Sequence, residues 1–259
     1  MKNTMYKLFA ILFTFGVALS SCELDLNTPE IDDQTTQDNA LGERAVGDVF
    51  GIVNTGTGGK ATGDCGNYNF DPTNKTLIVT FDNCTGKDGV TRSGVIHAQF
   101  TGMWRQANSS VQITFVNYKR DGNTLSGTIN VAYTTGGDIP EFTMLATDMS
   151  LTFANGEKTT WESSNTYRWL EGANTPLDRS DDTYSITGAT NGTARNENEF
   201  SRISTDLVTS PDCKWFTEGT LKLTITGEKT DIYKLTFSEP CGTVSILYNG
   251  ITIKKNFEE

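Results

Sequence analysis

Histidine is nearly missing from this chain: its 259 residues contain one, His97. A histidine-based triad could be built only there, no GxSxG elbow surrounds any serine, and a histidine metal cluster is excluded. Long apolar runs are missing too. The longest ends at Leu19 after starting at Leu8, short of the roughly 18 residues a membrane-spanning helix needs. Bases are scarce, with 21 Lys and Arg against 32 Asp and Glu and a formal net charge of −11. That balance disfavours nucleic acid as a partner. Cysteines are few, at Cys22, Cys65, Cys84, Cys213 and Cys241. None forms a Cys-x-x-Cys pair, so no zinc site is expected, nor any other metal or cofactor. From about Thr76 onward, amphipathic helical spacing is hard to find.

What is present begins with the amino-terminal segment. Lys2 and Lys7 supply a positive start, Leu8 to Leu19 an apolar core, and small residues precede Cys22. Residues 1–21 therefore read as a cleaved secretion signal. Losing Lys2 and Lys7 with it takes the formal charge from −11 to −13. Leu19-Ser20-Ser21-Cys22 resembles the bacterial lipobox. The resemblance implies a diacylglyceryl group on the Cys22 sulfur, an acylated new amino terminus (palmitate or a similar chain), and membrane association through that anchor. Several acyl chains at about 0.8 kcal/mol per buried CH2 hold firmly.

With Cys22 assigned to lipid, four cysteines remain, an even number suited to two disulfides in an oxidising compartment. Three connectivities exist; Cys65–Cys84 and Cys213–Cys241 are favoured because each pair brackets a local strand-rich segment. Glu23 to Ala45 holds seven acids and one base, so residues 22–45 read as lipidated cysteine plus flexible acidic tether. Gly51 to Gly66 reads as a glycine-rich loop. It is not a phosphate loop, because Ala61 follows Gly59-Lys60 and position 54 is Asn.

Residues 46–259 are expected to form a single β-rich domain. From about Thr76 onward apolar and polar residues alternate with period two. Ile96, Ala98 and Phe100 share a face, as do Val111, Ile113 and Phe115, and Leu125, Ile129, Val131 and Tyr133. Met149, Leu151 and Phe153, then Leu221, Leu223 and Ile225, then Tyr233, Leu235 and Phe237, then Val244, Ile246 and Tyr248 continue the pattern. Asp121-Gly122, Asn155-Gly156 and Asn249-Gly250 suit tight hairpins, while 173–182 and 190–199 read as longer loops. The fold class expected is all-β: a large antiparallel meander forming a curved sheet, a sandwich or an open barrel. Glycines 94, 102, 127 and 188 would mark bulges or bends. Gly94 to Gly102 and Gly219 to Gly227 share a Gly-x7-Gly frame around a strand. Strands of this kind also occur in outer-membrane barrels, a reading that the anchor and disulfides argue against.

Candidate chemistry is sparse. Asp181 with Asp182 and Glu197 with Glu199 are carboxylate pairs of the sort a glycoside hydrolase uses, but acids this numerous pair by chance. Asp178, Asp181 and Asp182, and separately Asp82, Asn83 and Asp88, offer oxygen ligands without an EF-hand pattern. The candidate ligand-binding residues are Trp161, Tyr167 and Trp169, which share strand parity and hence one face. That face is either a platform for a glycan or protein partner or part of the core.

The lipobox, acidic tether, cysteine ahead of a Thr-rich strand and Arg92-Ser93-Gly94 start of a long meander together resemble uncharacterised secreted lipoproteins of Bacteroidota. The resemblance implies an outer-membrane lipoprotein, surface-exposed or periplasm-facing. The function expected is non-catalytic binding or structural contact with a glycan or envelope protein. A glycan-binding accessory lipoprotein of polysaccharide uptake and a glycoside hydrolase are the alternatives.

Overall fold

The computed structural model describes residues 32–57, 65–104, 106, 108–134, 139–175 and 181–256. The signal, Cys22 and the first part of the tether lie outside them, as do Asp178 and the Gly59-Lys60-Ala61 stretch. Among the described residues a single α-helix, α1 (Asp33–Gly56), precedes thirteen strands. These are β1 (Asn67–Asp71), β2 (Thr76–Thr85), β3 (Thr91–Phe100), β4 (Ser110–Arg120), β5 (Asn123–Thr134), β6 (Glu141–Thr152), β7 (Lys158–Glu171), β8 (Thr183–Thr193), β9 (Glu199–Ser210), β10 (Cys213–Thr226), β11 (Thr230–Ser238), β12 (Thr243–Tyr248) and β13 (Ile251–Asn256). Spatial order equals chain order, every neighbour is antiparallel, and the single sheet is not closed. The expected meander is therefore an open curved sheet rather than a sandwich.

The alternation maps onto burial as period two requires. Ile96, Ala98 and Phe100, then Val111 and Ile113, then Leu221, Leu223 and Ile225 all point into the core. The hairpin turns also match: Asp121 and Gly122, and Asn249 and Gly250, all have positive φ, the geometry whose twist suits adjoining strands. One expected loop is shorter than read. Residues 190–193 belong to β8, leaving only 194–198 as the β8–β9 turn.

Bulges bend the sheet. Gly94 (φ +87°) in β3 faces Asn117 (φ +49°) in β4, where the register shifts. A side chain on Gly94 would strike the Asn117 carbonyl, so only glycine fits this close approach. The bulge also reverses inward parity, so that Tyr118 rather than a further odd-numbered residue is buried. Gly127 opposite Asp148 and Gly219 opposite Asp206 repeat the arrangement. Gly188 marks a further register shift between β8 and β9, whereas Gly102 lies in the β3–β4 connection. Gly94 and Gly219 thus share a role, but Gly127 has it as well, so the frame common to the first two is no two-copy repeat.

The helix corrects two expectations. Residues 33–45 are not tether and 51–56 are not loop: both belong to α1, and the compact unit begins at Asp32, not residue 46. The helix starts there because the Asp32 carboxylate accepts the Thr35 N–H at 2.9 Å and the Thr35 hydroxyl at 2.6 Å, a cap worth about 1 kcal/mol. Ala45, Val46, Val49, Phe50, Ile52 and Val53 are buried. Residues 49–54 are buried on every side, the state of a helix enclosed by other structure. The sheet curls around it.

Acids read as solvated tether charges instead dock the helix. Asp38, Glu43 and Asp48 are five residues apart, so each is rotated by about 140° from the last. Asp38 meets Arg195 after β8 at 2.8 Å, Glu43 meets Arg202 of β9 at 2.9 Å, and Asp48 meets Arg92 of β3 at 2.6 Å. Arg120 of β4 also reaches Asp48, at 3.4 Å. Successive acids thus grip different arms of the sheet.

Both expected cysteine pairings are present. Cys65–Cys84 and Cys213–Cys241 are disulfides with Cα separations of 5.8 and 5.7 Å. They tie the chain before β1 to β2, and the start of β10 to the β11–β12 turn.

Candidate functional site

The residues singled out for binding do share a face, but not an exposed one. Trp161 and Trp169 are 4 % and 3 % exposed, Trp161 lying against Gly42 of α1. Tyr167 is half-buried beneath the helix, with its ring centroid 6.4 Å from that of Phe50. A flat platform of three rings for a glycan is therefore not formed. His97 is half-buried on β3 between Ile78 and Thr114. Glu197 and Glu199 are exposed at the β8–β9 turn. Asp181 accepts from the Thr175 hydroxyl at 2.6 Å. No group of three metal-ligating side chains converges among the described residues.

Tyr167 and Asp182 instead help to line a cleft of about 380 Å³ between one side of α1 and strands β7 to β10. Its volume falls within the usual range for small-molecule sites, and its makeup is typical of them: mostly apolar walls with a few polar groups. Phe50 on the helix, Tyr167, Tyr184, Ile186 and Leu207 on the sheet, and Phe216 on β10 form the apolar wall. The helix side is opened by two glycines, Gly47 and Gly51. A wider hollow of about 780 Å³ lies near the β6–β7 and β8–β9 turns. It is the more open of the two and is lined by Asp148, Lys158, Glu162 and Glu199 among others.

Polar groups meet on the cleft floor. Glu43 Oε1 accepts from Arg202 Nη2 at 2.9 Å and from the Thr190 hydroxyl at 2.7 Å, and Arg202 Nη2 donates to Thr190 Oγ1 at 3.0 Å. This closed triangle neutralises a guanidinium only 4 % exposed. Beside it the register aligns Ser163, Thr190 and Arg202 in one row across β7, β8 and β9, and Asn165, Gly188 and Ser204 in the next. Ser163 Oγ, both amide atoms of Asn165, Arg202 Nε and Ser204 Oγ are buried without a hydrogen-bond partner. Five such atoms in one patch are far from the usual satisfaction of buried polar groups. Burial pushes the Tyr167 phenol well above its ordinary value, with the nearby Glu43 carboxylate adding to the effect. It stays a neutral hydrogen-bonding group at physiological pH.

Asp182, at the other end, accepts from Trp169 Nε1 and from the Tyr184 hydroxyl, both at 3.0 Å. The two carboxylates of the cleft are thus both engaged by protein donors. Sequence reasoning found Tyr167 and Asp182 but missed Glu43, Arg202 and Ser204, because the helix that brings Glu43 onto β9 was read as a tether. Compared with known proteins, the chain matches no family, no curated protein and no solved structure.

Proposed function

We propose that this chain is a lipid-anchored protein of the bacterial cell envelope whose role is binding rather than catalysis. The anchor rests on the lipobox-like Leu19-Ser20-Ser21-Cys22, and placement in an oxidising compartment is supported by the two disulfides. The observation that carries the binding role is the cleft of about 380 Å³ between α1 and β7 to β10, whose lining residues Arg202 and Ser204 carry buried polar atoms without partners. Its acids, Glu43 and Asp182, are each held by two protein donors, which suits orientation better than proton transfer.

Two measurements test the reading. Labelling cells with an alkyne fatty acid should tag the wild-type chain and spare Cys22→Ala; an untagged wild type overturns the anchor. Native mass spectrometry of the chain isolated from envelopes should show a non-covalent small molecule. If only the bare mass appears under gentle conditions, the binding role fails.

A further inference from the structure

We infer that the cleft takes an uncharged amphiphile: an apolar or aromatic body against the ring wall, with a hydroxyl- or carbonyl-bearing head toward Ser204 and Arg202. The inference rests on the binding role proposed above and narrows it to a ligand class. Three independent features point the same way.

The first is Gly47. It sits in the interior of a 24-residue helix, and a Cβ built there would meet nothing within 4 Å. Glycine weakens a helix interior relative to alanine, and no neighbour among the described residues requires its absence of side chain. Gly47 is exposed and is one of the helix residues that line the cleft. The second is the floor. Ser204 is 1 % exposed, lines the cleft and has a hydroxyl without a partner; Arg202 Nε is a buried donor in the same condition. Either can donate to a carbonyl or hydroxyl oxygen that a ligand brings within reach. The third is charge. Among the described residues, the ionisable side chains lining the cleft, besides the tyrosines, are Glu43, Arg44, Asp182 and Arg202, two of each sign. Arg44 is exposed on the helix, and Arg202 is already paired with Glu43. Among the described residues of the floor an anionic head would therefore meet no uncompensated cation, and it would lose its hydration on entry.

Equilibrium dialysis of coumarin against the full-length chain in lipid nanodiscs, with protein-free nanodiscs as the blank, tests this. Coumarin is neutral, has a flat apolar body and carries a carbonyl acceptor. Retention with a dissociation constant near or below ~1 mM is expected for a ligand of this size. Coumarin-3-carboxylate should bind at least about tenfold more weakly, in line with the desolvation of a charged head. Gly47→Phe, which fills the cleft from the helix side, should abolish retention while leaving the near-ultraviolet circular dichroism unchanged. Ser204→Ala should weaken coumarin by roughly fivefold, the usual worth of one hydrogen bond, and decides the matter if Gly47→Phe does not fold. Equal binding by folded Gly47→Phe, or an unaffected Ser204→Ala, overturns the placement. Equal or tighter binding of the carboxylate overturns the uncharged class yet leaves the cleft as a binding site. Retention no greater than the blank overturns the inference, while a co-purifying molecule in the native mass spectrum would still uphold the broader role.

Discussion

Replacing Asp48 by alanine tests whether ion pairs hold the helix inside the sheet. Asp48 grips Arg92 with both oxygens, Oδ1 at 2.6 Å from Nη2 and Oδ2 at 3.2 Å from Nε. Arg92 is only 1 % exposed. Without the carboxylate, its guanidinium keeps Asp88, whose side chain is 48 % exposed, and the Val90 carbonyl, and Arg120 loses a partner as well. Removing one member of a buried pair costs about 3–5 kcal/mol, because the other charge stays dehydrated and uncompensated. For a unit of this size each kcal/mol is worth about 2–4 °C, so the thermal midpoint should fall by roughly 6–20 °C. Tryptophan fluorescence during urea and thermal unfolding, with the disulfides intact, provides the measurement. Asp48→Leu combined with Arg92→Met removes both charges and should recover at least half of the loss, since an apolar replacement of a buried pair is often neutral. A midpoint within ~3 °C of wild type for Asp48→Ala would refute the reasoning, as each kcal/mol moves it by about that much. The acids of α1 would then be surface charges after all.

Gly94→Ala should destabilise by about 2–4 kcal/mol, summing a left-handed backbone penalty with overpacking against Asn117; urea midpoints measure it, and a change below ~0.5 kcal/mol would mean that the bulge relaxes freely. Stability should also fall in acid. The hydrogen bond from Arg92 holds the Asp88 carboxyl below its ordinary value despite partial burial. Its contribution is therefore present above about pH 4 and lost as pH drops through the folded-state value. In Asp88→Asn the slope of unfolding free energy against pH should flatten below about pH 4; an unchanged slope counts against the assignment. Cys213→Ser with Cys241→Ser should cost roughly 3–4 kcal/mol on the chain-entropy account of a loop of this length, read from denaturant midpoints. A loss smaller than ~1 kcal/mol would show that the β11–β12 turn closes without the bridge.

Much of the sheet was legible because a strand half-exposed to water writes its face into alternate residues, as Leu221, Leu223 and Ile225 do. The hairpin turns were legible because Asn-Gly and Asp-Gly have few other uses. Parity failed where a bulge intervened: nothing in Phe115 to Tyr118 announces that Asn117 adopts positive φ and turns Tyr118 inward. The helix was illegible for a different reason. Val46, Val49, Phe50 and Val53 do carry helical spacing, but enclosure of residues 49–54 on all sides blurs the polar face that usually frames it, and Gly51 and Gly56 fall in a stretch that reads as a glycine-rich loop. Its acids look like solubility charges until Arg92, Arg120, Arg195 and Arg202 are seen opposite them. These partners lie as many as 159 residues away, from Glu43 to Arg202, beyond any local pattern. The cleft was hidden for the same reason, since one wall is helix and the other is strands.

The described unit begins at Asp32, whose carboxylate is clasped by the side-chain amides of Asn196 and Asn198 at the β8–β9 turn. Those two strands have neighbours on both sides. A load entering at Asp32 therefore reaches the body of the sheet through the helix cap and an interior turn, rather than through β1 or β13 at its two edges.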